Sequence, residues 1–431
     1  MQPQSLSRRG FMELLAATTA GAALVPAPAS RATAQAIGAV PSAAPSAART
    51  SHATTNTFKV QYEPLATYDV DRLNKILTTE LAEFSDFKIT YPPAKNAVQL
   101  YRVTYPSVVP ELGNKPTTAS GLIAVPVDAS GKLPVVSYQH GSVFGKDEVP
   151  SNPEQSAETR LMLANFGGQG YMVIAADYFG KGISTEANSY IVKASTQQAC
   201  LDMLFAAQAL APDLGVELGS LFVSGWSQGG WSAFTFLDKL ESVGIPVTAA
   251  AVPSGPVDLY ATVNRWANNW QQIDAVYIPP LVSIMVNAFE QYYALPGLAN
   301  SAIKPEYQEP TRQLYFNEIP YEDALKQLPA KLPDMLNDDF RAAIARGESR
   351  FSRLLQESHA YRWRSVTPAR VYYGGIDEVT PVFIGTMPVG YQKAIGGAEV
   401  TAVDAGAQAD HRGTFLYSIA DQKKWFDQLL E

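Results

Sequence analysis

"SLFVSGWSQGGWSAF" runs from Ser220 to Phe234. A β-like run, Leu221 to Ser224, stops at a glycine, and a helical pattern follows. Ser227 lies between Gly225 and Gly229. With glycine near ~7% of residues, an accidental Gly-x-Ser-x-Gly is common enough that the motif counts only in context. It needs a strand before it, a helix after it and partners downstream.

The context fits. "LPVVSY" from Leu133, "YMVIAA" from Tyr171, "LFVS" from Leu221, "VTAAAV" from Val247 and "ARVYYG" from Ala369 are short, continuous apolar runs. Helical segments, such as Ser195 to Leu210 and Gly229 to Ser242, lie between most of them. Apolar strands alternating with helices predict an α/β fold, a mostly parallel sheet covered on both faces. "VQLYRVTY" from Val98 and "SGLIAVPV" from Ser120 alternate instead and suggest an antiparallel edge. "DRLNKILTTELAEF", Asp71 to Phe84, has a helical period.

Between Ala251 and Ala369 the alternation lapses. "LVSIMVNAFEQYY" places Leu281, Ile284, Met285, Ala288, Phe289, Tyr292 and Tyr293 on one helical face. "NDDFRAAIARG" starts with capping residues and ends at Gly347. A mainly helical insertion, about 256–367, is expected.

The bulk numbers narrow the chemistry. The chain has 431 residues, 46% hydrophobic, with a formal net charge of −8. No basic tract is present, so nucleic acid is not an expected partner. Cys200 is the single cysteine, read as a packing residue, which excludes an intrachain disulfide. The four histidines, His52, His140, His359 and His411, have no paired-ligand spacing, so no metal site is expected.

The start of the chain carries targeting features. Arg8 and Arg9 precede an apolar run, and "AQA" at 34–36 has the small-x-small form of a cleavage site. Residues 1–36 resemble a bacterial twin-arginine export signal. The apolar run is too short and too rich in Ala, Thr and Gly for a spanning helix. Residues 37–57 read as a flexible linker, leaving 58–431 as the folded domain. The expected place is the periplasm or the exterior, and the twin-arginine export machinery is the expected partner.

A serine hydroxyl is a poor nucleophile without a base. In a strand–turn–helix architecture of this kind the order is Ser, then acid, then His. His411, in "ADHRGTF" after the last strand "AEVTAVDAG", is the histidine late enough to serve, and it is read as a loop residue. A helix from Thr414 to Leu430 should follow. Asp377, in "ARVYYGGIDEVTP", follows a core strand and is the first choice for the acid. Asp258, one strand earlier, is the alternative. Glu378 and Asp410 read as solvated neighbours. Two oxyanion donors are expected: the amide of Gln228 beside the nucleophile and, from the "QHGSVFG" loop, that of Ser142. His140 should brace that loop.

"YQHGS", "AADYFGKGIS", "GWSQGG", "GGIDEVTP" and "DHRGT", in that order over about Phe58 to Glu431, resemble a secreted α/β-hydrolase. The set is similar to the secretory-lipase and esterase branch. That resemblance implies an α/β-hydrolase fold with a helical cap and a serine esterase needing no cofactor. A peptidase or amidase on the same fold remains open; a free-amine substrate would call for acidic anchors such as Glu290 or Asp334. A non-catalytic binding protein on this scaffold is the remaining rival. Trp226, Trp266, Phe289 and Tyr292 are candidates for substrate contact, and the insertion's aromatics can equally form its own core.

Overall fold

The computed structural model describes residues 59–431. The expected export signal over 1–36, the expected linker over 37–57 and His52 lie outside the described residues. A nine-stranded sheet runs through the middle, in the order β1-β2-β3-β5-β4-β6-β7-β8-β9. The strands are β1 Gln61–Tyr68, β2 Val98–Val109, β3 Lys115–Pro126, β4 Gly131–Gln139, β5 Met172–Ala176, β6 Val216–Gly225, β7 Ala249–Pro253, β8 Ala369–Tyr373 and β9 Val400–Asp404. The pairs β1–β2, β2–β3 and β3–β5 are antiparallel. The rest of the sheet, β5-β4-β6-β7-β8-β9, is parallel.

Burial explains which strands could be read. All five residues of β5 and all five of β7 are buried, the pattern of strands covered on both faces. β1 buries only Tyr68 and carries Pro64, so it shows no apolar period and was not anticipated.

Helices fill the connections: α1 Val70–Lys75, α2 Ala157–Asn165, α3 Lys193–Leu210 and α4 Gln228–Ser242. Cys200 is buried on α3. The helix expected over Asp71 to Phe84 is interrupted. After α1 comes a π turn, Ile76–Glu80, and then a last turn, Leu81–Phe84. Thr78 Oγ1 donates to the Asn74 carbonyl at 2.7 Å, where the helix would take a backbone amide.

Eight helices lie between β7 and β8 among the described residues. They are α5 Leu259–Asn268, α6 Ile278–Tyr292, α7 Leu298–Ala302, α8 Pro305–Tyr315, α9 Tyr321–Leu325, α10 Leu332–Met335, α11 Asp338–Arg346 and α12 Arg350–Glu357. Their aromatic side chains fasten them to the loops that follow β5 and β8. Tyr292 and Tyr315 donate hydroxyls to the carbonyls of Ala187 and Asn188 at 2.6 and 3.0 Å. Trp266 Nε1 donates to the Val379 carbonyl at 3.2 Å. After β8 come α13 Val382–Gly385 and α14 Met387–Ile395, and α15 His411–Gln428 follows β9. Among the described residues no helix is long and apolar enough to cross a membrane.

Candidate active site

Ser227 stands where β6 turns into α4. Its backbone is at φ 58°, ψ −122°, a region an L residue enters only at a cost of about 1–3 kcal/mol. Close approach enforces the turn. A Cβ on Gly225 would fall 2.1 Å from the Gly229 carbonyl oxygen, and one on Gly229 would fall 1.9 Å from that of Gln139. The glycines at ±2 therefore let β6, α4 and the end of β4 meet. The Ser227 amide donates to the Pro253 carbonyl at 3.1 Å, tying the turn to β7.

Three side chains form a hydrogen-bonded row. His411 Nε2 lies 2.8 Å from Ser227 Oγ, and His411 Nδ1 lies 2.9 Å from Asp377 Oδ1. The Asp377 oxygen also accepts the amides of Val379 and Thr380, at 2.9 and 2.8 Å. That bonding fixes the carboxylate beyond β8. Burial alone would raise the Asp377 carboxyl, but the His411 charge, its hydrogen bond and the Thr380 amide hold it below the usual range. Burial likewise works against a charged His411, and the Asp377 charge and hydrogen bond outweigh it, with Glu378 and Asp410 adding to them. The imidazole is raised above its ordinary value.

His411 is not in a loop: it is the first residue of α15. Asp410 caps that helix, accepting the Gly413 amide at 2.6 Å, which starts it three residues earlier than expected. Glu378 is bound as well. It accepts the His411 backbone amide at 3.0 Å and the Tyr277 hydroxyl at 2.9 Å. The reading of both acids as solvated neighbours is therefore corrected. An Asp ahead of a helical pattern is a cap signal; the Glu378 contact, spanning 33 residues, has no local signal.

Asp258 is occupied elsewhere. It caps α5 through the Ala261 amide at 2.9 Å, and its other oxygen takes Tyr361 and Arg362 at 3.0 and 2.6 Å. His359 lies beyond α12, its carbonyl accepting Lys193 Nζ at 3.0 Å.

Gln228 opens α4, so its amide is among those an α-helix leaves without an internal partner. Ser142 lies just past β4, half-buried, with its Oγ 2.8 Å from the Tyr190 hydroxyl. His140 Nδ1 lies 2.8 Å from the Gly141 carbonyl, and its ring stacks on Tyr178 at 4.3 Å. Burial lowers His140 to about 4, keeping it neutral.

The four aromatic candidates are buried. Trp226 packs its ring 5.0 Å from that of His411 and donates Nε1–H to the His411 carbonyl at 3.1 Å. Phe289 is wholly buried against Tyr293 and Phe351. Trp266 and Tyr292 use their polar atoms on backbone carbonyls. These side chains hold elements together and leave little of their own surface exposed. Half-buried aromatics do occur by the Ser142 loop, where Phe144 stacks on Tyr321 of α9 at 4.1 Å. Of the acidic anchors, Glu290 is engaged by the Ala299 amide at 2.7 Å, and Asp334 is exposed on α10.

No family model and no curated protein matches this sequence. Solved structures do. A hydrolase of Legionella pneumophila superposes with a TM-score of 0.76 at 22% identity, covering 86% of this chain and 97% of its own. The rice cell wall degrading esterase LipA of Xanthomonas oryzae, in a ligand-bound form, gives 0.74 at 22% identity with the same coverage. Candida antarctica lipase A in its closed state gives 0.60 at 15% identity, covering 81% of this chain and 76% of its own. The strand order, the turn at Ser227 and these likenesses give this chain the α/β-hydrolase fold.

Proposed function

We propose that the chain is an exported serine hydrolase that cleaves carboxylic esters. One observation carries this reading: the row Ser227 Oγ, His411 Nε2, His411 Nδ1 and Asp377 Oδ1, with separations of 2.8 and 2.9 Å. A hydroxyl bonded to a buried imidazole, which is bonded to a buried carboxylate, is arranged to lose its proton.

His411 takes the Ser227 proton as Oγ attacks the ester carbonyl. The tetrahedral oxyanion is met by the amides of Gln228 and Ser142, and the N-terminus of α4 adds its dipole. Asp377 keeps Nδ1 protonated and stabilises the imidazolium. His411 then gives its proton to the leaving alcohol. Water, activated by the same imidazole, releases the acid from the acyl-enzyme.

The helices between β7 and β8 serve as a cap, and Phe144 and Tyr321 supply the apolar wall for the ester. Residues 1–36 direct export through the twin-arginine machinery. The fold-level likeness to a cell wall degrading esterase and to a lipase agrees with an ester substrate.

The test has two parts. A fluorophosphonate probe should label wild-type protein once, at Ser227, and p-nitrophenyl esters should be hydrolysed faster than matched anilides. Absence of labelling favours a binding protein, and faster anilide cleavage favours an amidase. Replacing Arg8 and Arg9 by lysine should retain the precursor in the cytoplasm.

A further inference from the structure

The segment that leaves β4 has no regular structure, and residues 141–145 carry the Ser142 amide. Two buried ionisable side chains hold it at its two ends. Glu158, on α2, is 7% exposed and accepts the Gly141 amide on Oε1 at 2.8 Å. The same oxygen accepts the Tyr138 hydroxyl. Lys181, beyond β5, is 3% exposed, and its Nζ donates to the carbonyls of Phe144 and Gly145 at 2.9 and 3.0 Å. The Gly182 amide adds a bond to the Lys146 carbonyl at 3.0 Å. In the middle, Tyr190 meets Ser142 Oγ.

Burying an ammonium or a carboxyl is costly in a fold of this kind. Here both are directed at backbone atoms of one short loop. That loop also lies against the nucleophile's turn: a Cβ on Gly141 would fall 3.0 Å from the Trp226 ring and 3.1 Å from Glu158 Oε2.

We propose that Glu158 and Lys181 are positioning residues that clamp the 141–145 loop and so keep the Ser142 amide aimed at the oxyanion. The inference rests on the serine-hydrolase reading above. An oxyanion donor must stand ready before charge develops, because a loop that has to reorganise forfeits much of its benefit. The ester's ground-state carbonyl gains little from that donor, so a loosened clamp acts on the chemical step rather than on binding.

Glu158→Ala and Lys181→Met should therefore lower kcat by roughly 10- to 100-fold, less than or comparable to deleting an oxyanion donor outright. KM should stay within about twofold, since the interaction lost is made mainly in the transition state. Affinity for a trifluoromethyl ketone, which forms the tetrahedral adduct on Ser227, should fall by the same factor as kcat/KM. Glu158→Gln keeps an oxygen for the Gly141 amide and should restore most of the lost kcat. A purely structural role would lower Tm without this split and without the parallel loss of ketone affinity.

Folded alanine and methionine variants with wild-type kcat, or with unchanged ketone affinity, overturn the clamp. Should Glu158→Ala fail to fold, Glu158→Asp decides: its carboxylate is drawn back by one methylene, so wild-type kcat in that variant also overturns it. Ser227→Ala run alongside separates the two levels. Full activity there removes the hydrolase reading itself, whereas its loss with an indifferent Glu158 removes the clamp alone.

Discussion

Glu378 holds His411 by its backbone, accepting the amide at 3.0 Å, while the preceding residue, Asp377, holds the same histidine by its ring. Two consecutive acids thus fix both the position and the orientation of one imidazole. Glu378→Ala should leave Asp377 and the Asp410 cap in place but release the His411 backbone amide. The expected loss in kcat is roughly 10- to 100-fold, the scale of a catalytic group displaced by about an ångström. A kcat close to wild type in the purified variant would show that the Asp410 cap sets the imidazole without help from Glu378.

Ser227→Ala should lower kcat by on the order of 10⁴ or more, since covalent catalysis is lost. The fold should persist, because Ser227 contributes its backbone, not its hydroxyl, to the turn. Circular dichroism together with an ester assay checks both halves.

Asp377→Asn should cost on the order of 10⁴ in kcat, because the amide imposes the wrong tautomer on His411. Asp258→Asn should instead lower Tm, by removing the charge that meets Arg362, with kcat near wild type, while asparagine still caps α5. Comparing kcat and melting curves for the pair tests the assignment, and the opposite ranking would sink it.

The base acts when neutral, and the folded protein raises His411 above its ordinary value. So kcat/KM should climb with pH through a midpoint above ~6.5 and then level off. Asp377→Asn removes the charge that raises the imidazole, so the residual activity should show its midpoint moved to lower pH. A profile flat from about pH 5 to 8 contradicts His411 as base.

Phe289 and Phe144 should behave oppositely. Phe289→Ala should destabilise by about 3–5 kcal/mol, the cost of emptying a buried aromatic site, and keep the acyl-length profile. Phe144→Ala should keep Tm and flatten that profile. In wild type each added methylene is expected to contribute roughly 0.8 kcal/mol, close to fourfold in kcat/KM, until the pocket is full. Rates on acetate through hexanoate esters decide between them.

What could be read in advance followed from short-range constraint. The buried parallel strands announced themselves because each is apolar on both faces, as in β5 and β7. Ser227 could be singled out because a turn this tight admits little but glycine at Gly225 and Gly229. What was hidden depends on distant partners. Nothing local marks Glu378 as the holder of His411, or Glu158 as the holder of Gly141. The aromatic residues of the insertion have the same composition whether they face a ligand or one another, so Phe289 could not be placed by pattern. β1 escaped because an exposed edge strand leaves no apolar alternation.

The distance along the chain between Ser227 and His411, 184 residues, governs when the site can exist. On the ribosome, the serine and its strained turn emerge well before the acid, and the imidazole follows only with α15. Until then Trp226 has no His411 carbonyl for its indole N–H and no Phe415 ring against its face, though Phe84 is already present. The row from Ser227 to Asp377 is therefore incomplete until α15 docks, and docking changes the surroundings of the Trp226 indole.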